Sequence, residues 1–450
     1  MINLSINEIY NILFGVKNHF SLNVPIEGFS TDTRTIKKNE VFVAIHGENV
    51  DGHNYIKSAL EKNACLVISE KKYDNEKVVV VNDSIKALGI IAKYYRQKFN
   101  VPLIAITGSV GKTSTRKMIT SVLKTKLHVH STKGNLNNHI GLPMTLLNMD
   151  DKTDISVIEM GMNHLKEIDY LSSIALPTIG VITNIGTSHI GNLGSKENIF
   201  KAKLEMFNNI KKGSDIYING DDEFLIKLKK KNEYNFITYG FNKENDYNIS
   251  DYNILKDGSC TFKVNNEQYQ IPVMGKHNVY NALVAIIISK SLKLSYNDIN
   301  IGLKKYSHEK MRMETYTKGT YMIINDAYNA NPQSMKAAID VLKEYKKRKV
   351  AILGDMLELG TYSKESHEEI GKYVAKSNID ILIVVGKEIK NYLAGAIMGN
   401  MKRKNIYVFE TLVDLDSKIN DIIYDDDVIL LKGSRGSKME EVLKYIKFER

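Results

Sequence analysis

The residues best equipped for chemistry are Thr107-Gly108-Ser109-Val110-Gly111-Lys112-Thr113-Ser114. They follow a short apolar run, Ile104-Ala105-Ile106, and lead into a helical pattern that starts near Lys112. A buried strand, a glycine loop and a helix in that order let successive backbone N–H groups converge on phosphate oxygens, with the positive end of the helix behind them. Lys112 would then reach the β- and γ-phosphates, and the Thr113 hydroxyl would take a place on Mg²⁺. The strict spacing G-x-x-x-x-G-K-[ST] is not met, because Ile106 stands where the first glycine belongs. What remains is a variant loop, T-G-S-x-G-K-T-S; the plainer alternative is a glycine turn with a chance lysine.

Three more groups sit where strands or helices could bring them to such a loop. Glu159 ends the apolar run Val157-Ile158, His189 follows Thr183–Ser188, and Lys203 lies in Phe200-Lys201-Ala202-Lys203-Leu204-Glu205. Mg²⁺ takes oxygen ligands, so Glu159 with Thr113 forms a suitable pair. His189 is an unusual Mg²⁺ ligand and reads equally well as a structural histidine. Lys203 has two readings that spacing leaves open. It pairs with Glu205 or Glu159, or its neutral amine takes up CO₂ and becomes a carbamate, an oxygen ligand of opposite charge.

The elements that must position these groups alternate apolar strands with amphipathic helices over residues 84–308, which predicts a mostly parallel sheet with helices on both faces. Ligands gather at the carboxyl ends of such strands. A second alternation from 309 to 450 predicts a smaller doubly wound domain. Residues 1–83 open with a helix marked by Leu4, Ile9, Ile12, Leu13 and Val16, and then give short strands. The fold class is therefore α/β in three domains: 1–83, 84–308 and 309–450. Two polar patches in the first domain, Ser30-Thr31-Asp32-Thr33-Arg34 and Gly47-Glu48-Asn49-Val50-Asp51-Gly52-His53, are turns by composition and also offer hydroxyls, carboxylates and an arginine to a nucleotide sugar.

The 450 residues carry a formal net charge of +10, with the lysines scattered rather than clustered. That reads as a lysine-rich soluble surface or as attraction of anionic substrates, rather than as nucleic-acid binding. Two cysteines, Cys65 and Cys260, lie far apart, against a disulfide scaffold and in keeping with a reducing cytoplasm. The first residues lack a basic segment and a cleavage site, and no apolar run is long enough to span a membrane, so neither secretion nor membrane insertion is expected.

Eight segments then resemble the Mur ligase family in that family's order: TGSVGKTS, KGNLNNHIGLP (133–143), VIEMG (157–161), TSHIGNLGS (187–195), FKAKLE (200–205), GKHNVYNA (275–282), RMET (312–315) and NDAYNANP (325–332). LGDMLELG (353–360) and STDTR (30–34) are similar to the branch that joins D-alanyl-D-alanine to a UDP-N-acetylmuramoyl-tripeptide, and the DNPR signature of the diaminopimelate-adding branch is absent. The resemblance implies an ATP- and Mg²⁺-dependent, ADP-forming amide ligase of peptidoglycan synthesis, working in the cytoplasm as a monomer. Its domains would serve the UDP-sugar peptide, ATP and a Rossmann-like closure. It implies a carbamylated lysine at Lys203, metal ligation by Glu159 and His189, adenine contacts from Asn278 and Asn281, and nucleotide contacts from Arg312 and Asp326. Asn135, Asn137, Asn138, Thr187, Asn329 and Asn331 are candidates for the substrates, with Ser334 nearby. The alternative within the resemblance is another Mur-type or a folylpolyglutamate-type ligase.

Overall fold

A computed structural model describes residues 4–15 and 24–447. Val16 of the amino-terminal helix pattern lies outside them; Ile9, Ile12 and Leu13 lie on the helix Ile6–Phe14, opened by a reciprocal Ser5–Glu8 capping box that Leu4 precedes.

Three sheets follow one another along the chain. The first is four parallel strands, Gly28–Ser30, Glu40–Val43, Leu66–Ser69 and Val78–Val80, in chain order. The second has nine strands and carries the phosphate loop. Its core is Leu103–Thr107, flanked by Ile155–Glu159 on one side and Ile179–Ile182 on the other, all parallel. The chain leaves Leu103–Thr107 toward one flank and later returns to the other. The loop after Thr107 therefore opens at the point where the strand order reverses, the place in open α/β sheets where ligands sit.

Side chains of these strands alternate between two apolar layers, as strand periodicity requires. Leu103, Ala105 and Ile158 pack with the helices Ser84–Gln97, Gly141–Leu146 and Glu167–Ala175. Ile104, Ile106 and Val157 pack with Lys112–Leu123 and Lys276–Ser291. Being covered on both faces explains why these strands read as unbroken apolar runs.

The expected alternation fails between residues 235 and 271. Beyond Asp215–Asn219 and Asn235–Gly240, the sheet continues as Tyr247–Ile254, Cys260–Val264 and Glu267–Ile271, the last three antiparallel to one another. Asn265 and Asn266 both adopt left-handed φ, 47° and 67°, the requirement of a tight hairpin turn whose twist matches its strands. Their strands bury only alternate residues, Cys260, Phe262 and Val264 in the first of them, so they lack the apolar runs of the parallel core.

The third sheet runs Glu314–Lys318, Tyr321–Asp326, Val428–Lys432, Lys349–Gly354, Ile381–Val385, Ile406–Phe409, parallel except for its first, edge strand. Asp326 and Lys432 are register partners at the carboxyl ends of neighbouring strands. No helix among the described residues is long and apolar enough to cross a membrane.

Candidate active site

Register puts the first acidic group in place. Ile106 pairs with Glu159 and Thr107 with Ile182, so three strands end together under the loop. Gly108 (φ 149°) and Gly111 (φ 88°) make the turn. The helix Lys112–Leu123 then begins at Gly111, which has no side chain to cap it, and its first amides are left for a ligand.

The segment after Ile179–Ile182 braces the loop. The Ser109 amide donates to the Asn184 carbonyl at 3.1 Å. The Val110 amide donates to Asn184 Oδ1 at 3.0 Å, and Thr183 Oγ1 donates to the Val110 carbonyl at 2.6 Å. Ser109 Oγ accepts from the Gly186 amide at 2.8 Å. A methyl group on Gly108 would lie 1.9 Å from Thr183 Oγ1, which that bond to Val110 holds in place. Such overpacking costs about 1–3 kcal/mol. Gly108→Ala is therefore expected to weaken ADP binding about tenfold or more, read by titration calorimetry; unchanged affinity would mean the loop is not shaped as described.

Lys112 folds back, its Nζ donating to the Gly108 carbonyl at 2.7 Å. Burial lowers its pKa, opposed by Glu159 and reinforced by Arg312. Thr113 Oγ1 donates to Glu159 Oε1 at 3.3 Å, and both residues are buried. These two hard oxygens beside uncapped amides fit a Mg²⁺–phosphate pair. Glu159 is also held by Asn137 Nδ2 at 2.8 Å and by Arg116 Nε at 3.4 Å. Arg116 in turn binds Glu309 at 2.9 Å and the Thr132 carbonyl. Arg116 is absent from the sequence-based site. It stands four residues after Lys112, hence on the same helical face, and that spacing was the available signal. Its partner Glu309 had none.

Lys203 is 2% exposed on the helix Lys196–Leu204. It pairs with neither Glu205 nor Glu159: the Glu205 carboxylate accepts from the Lys166 and Asp169 amides, and Glu159 is taken as described. Burial first, and the nearby Lys112 second, hold the Lys203 amine well below the usual lysine range. His189 (φ 62°) places Nδ1 2.6 Å from Glu358 Oε2 of the third sheet's domain. Among the described residues no three His, Cys, Asp or Glu side chains converge on one point. Of the four residues expected at the metal, Thr113 and Glu159 meet under the loop, His189 faces Glu358, and Lys203 lies near Lys112.

Two cavities meet at the loop. One, about 740 Å³, is lined by Ser114, Asn278, Asn281, His277, His308 and Asp326 among others. Asn281 Oδ1 accepts from Thr115 Oγ1 at 2.9 Å, and Asn278 Nδ2 donates to the Met274 carbonyl at 2.7 Å. Burial, with His277 and Lys117 nearby, holds the His308 imidazole down at about 3, so this ring is an uncharged member of the cavity wall. The other cavity, about 580 Å³, is lined by Lys112, Asn135, Asn137, Asn138, Glu159, His189 and Asn331 among others. Val110, Gly111, Arg312, Tyr328, Asn329 and Ser334 line both. The Arg312 guanidinium stacks on Tyr328, 3.8 Å from the ring centroid. Thr187 donates its amide to Gln333 Oε1 at 3.3 Å, and Asn331 Nδ2 donates to Ser188 Oγ at 2.6 Å, so the third domain is bonded to the loop's brace.

Asp326 is fixed by Lys432, whose Nζ lies 2.6 Å from Oδ2 and 2.9 Å from the Asn329 carbonyl. Lys432 is 1% exposed. Removing one member of a buried pair strands the other charge, at about 3–5 kcal/mol. Lys432→Met is expected to destabilise the 309–450 region by that amount in urea unfolding; a loss below about 1 kcal/mol would show that the pair is solvated.

Ser30, Thr31, Asp32, Arg34, Asp51 and His53 line neither cavity. Asp32 grips Arg34 Nη2 at 2.7 Å, which with the Arg34 amide holds its carboxyl at about 2. Asp51 meets His53 Nδ1 at 2.6 Å and Lys71 at 2.7 Å, while His53 Nε2 accepts from the Glu70 amide at 3.1 Å. These groups bond to one another and brace the turns of the first domain.

Three family models cover most of the chain: Mur ligase family, catalytic domain, over 25–106; Mur ligase middle domain over 106–289; and Mur ligase, glutamate ligase domain, over 311–435. The chain belongs to the Mur ligase family. A UDP-N-acetylmuramoyl-tripeptide–D-alanyl-D-alanine ligase of Bacillus subtilis is 39% identical over 430 residues, 93% of each protein. Among solved structures, MurF from Acinetobacter baumannii superposes with a TM-score of 0.87 at 31% identity, covering 94% of this chain and 93% of that one. MurF ligase from Thermotoga maritima in complex with ADP superposes at 0.82 with 26% identity, covering 93% and 96%.

Proposed function

We propose that this protein joins D-alanyl-D-alanine to UDP-N-acetylmuramoyl-tripeptide, with ATP and Mg²⁺, releasing ADP and phosphate in peptidoglycan synthesis. The observation that carries this is the meeting of two cavities at one phosphate loop. A base-side cavity and an acceptor-side cavity that share Gly111 and Arg312 put a γ-phosphate between a nucleotide and a second substrate.

A carboxylate is a poor acyl donor because its leaving group would be oxide. In this reading the tripeptide carboxylate attacks the γ-phosphorus, forming an acyl phosphate and expelling ADP. The D-alanyl-D-alanine amine then attacks the acyl carbon, and a tetrahedral intermediate collapses to the amide and phosphate. The protein contributes position and charge. Lys112 leaves the Gly108 carbonyl for the phosphoryl oxygens. Asn278 and Asn281 hold adenine, and Arg312 and Asp326 hold the nucleotide from the third domain. Asn135, Asn137, Asn138, Asn329 and Asn331 line the acceptor side, and Thr187 stands next to the lining residue Ser188. Thr113 and Glu159, with His189 and a carbamylated Lys203, would hold Mg²⁺, which would supply positive charge against the phosphate oxygens. Residues 1–83 take the UDP-sugar end, 84–308 bind ATP, and 309–450 close over both, excluding water from the acyl phosphate.

The test is ADP release coupled to product mass, across sugar-peptides and amines. ADP and amide are expected only with sugar-tripeptide and D-alanyl-D-alanine together. Ligation of a single amino acid in place of the dipeptide, or release of ADP without any amide, would reject the assignment.

A further inference from the structure

The LGDMLELG segment takes no part in the chemistry described above, yet it reaches the loop's brace. It leaves the carboxyl end of Lys349–Gly354 and crosses to the middle domain. Glu358 adopts left-handed φ, 62°, and so does His189, 62°. Non-glycine residues in that region cost about 1 kcal/mol or more and persist where their surroundings fix them. Here the surroundings are each other. The Glu358 carbonyl accepts from the Gly191 amide at 3.0 Å, and its carboxylate meets His189 Nδ1 at 2.6 Å. A methyl group on Gly191 would lie 2.7 Å from the Glu358 carbonyl oxygen, and one on Gly360 3.0 Å from Gly191 Cα. Only glycines let these two backbones approach so closely. Tyr362 closes the contact, its hydroxyl donating to the Gly194 carbonyl at 3.1 Å.

A histidine that works through one ring nitrogen is oriented by what the other nitrogen binds. With the Glu358 carboxylate packed 2.6 Å from Nδ1, Nε2 is the ring nitrogen left toward a ligand, and His189 lines the acceptor-side cavity beside Lys112 and Glu159. The partner that sets this orientation comes from a different domain. We propose that Glu358 is a positioning residue: it grips His189 across the domain boundary, so that seating the third domain and aiming the imidazole are one event. The inference rests on His189 belonging to the reactive site, as in the reading above.

The experiment is a double-mutant cycle with an exchange measurement beside it. The Glu358 side chain is 51% exposed, so its replacement leaves the core intact. Glu358→Ala is expected to lower kcat about 10-fold or more while leaving KM for ATP within about twofold, since the base and phosphate contacts lie elsewhere. Glu358→Gln should recover part of the loss, because it keeps the side chain's length and an oxygen facing Nδ1. In a His189→Ala background, Glu358→Ala should cost nothing more. In the ligand-free chain, Glu358→Ala should speed amide hydrogen exchange in residues 189–194. Additive losses in the cycle, or unchanged kcat with unchanged exchange, would overturn the proposal. If His189→Ala leaves kcat unchanged, the role of His189 in the site fails instead. The exchange rates of 189–194 then decide the positioning by themselves.

Discussion

Lys112→Met is expected to lower kcat for ADP release about 10²–10³-fold, a loss of about 3 kcal/mol or more in transition-state stabilisation. The ammonium lines the acceptor-side cavity one residue past Gly111, which lines both, and its resting partner is a carbonyl of its own loop. A carbonyl dipole is a weak partner for an enclosed cation, so the phosphoryl oxygens compete for it readily, and most strongly as they gather charge in transfer. Methionine keeps the stem and removes the charge. The loop amides and the Asn278–Asn281 wall remain, so KM for ATP should change far less than kcat. Equal losses in binding and turnover would show that Lys112 only anchors the nucleotide. Full activity would remove the phosphate-loop reading altogether.

Lys203→Ala is expected to reduce ligation at the upper end of the same ~10²–10³ range, with partial recovery on adding bicarbonate and a short carboxylic acid. The physical case is the cost of two enclosed cations side by side. Lys203 has no carboxylate partner among the described residues, and Lys112 is close enough to lower its pKa further. An unpaired buried ammonium gives up its proton rather than remain charged. A neutral amine is the species that adds CO₂: the nitrogen lone pair forms the C–N bond and a proton leaves to solvent. The resulting carbamate is an anion, so its contact with Lys112 becomes attractive and it offers oxygen to a divalent cation. Protein equilibrated with ¹³C-bicarbonate should show a carbamate carbon resonance that the alanine variant lacks. A fully active alanine variant, or an active wild type without that resonance, would dismiss the modification.

The phosphate loop and its chemistry were written in the sequence because they are local. Gly108, Gly111, Lys112 and Thr113 act through backbone geometry over a few residues, with a buried strand before and a helix after. The parallel strands were legible for a related reason: burial on both faces demands continuous apolar runs such as Leu103–Thr107 and Ile381–Val385. The antiparallel extension at 247–271 was not, since Tyr247–Ile254 buries only Ile249, the two strands after it bury alternate residues, and the Asn265–Asn266 turn carries no glycine. The patches at 30–34 and 47–53 offered suitable groups for a sugar nucleotide. The fold bonds some of those groups to one another, Asp32 to Arg34 and Asp51 to His53, a pairing that only the folded turns reveal.

What only tertiary structure decided is which distant groups face each other. Strand order and register set Glu159 against Ile106 and beneath Thr113. The neighbouring ends of Tyr321–Asp326 and Val428–Lys432 bring Lys432 to Asp326, 106 residues apart in the chain. Domain packing turns Glu358 to His189 and leaves Lys203 with a cation for a neighbour. Loop geometry is governed by torsions within a few residues, and a single stretch of chain encodes it. A contact between charges is governed by what lies a few ångströms away in space, and that becomes fixed only when the sheets and domains have packed.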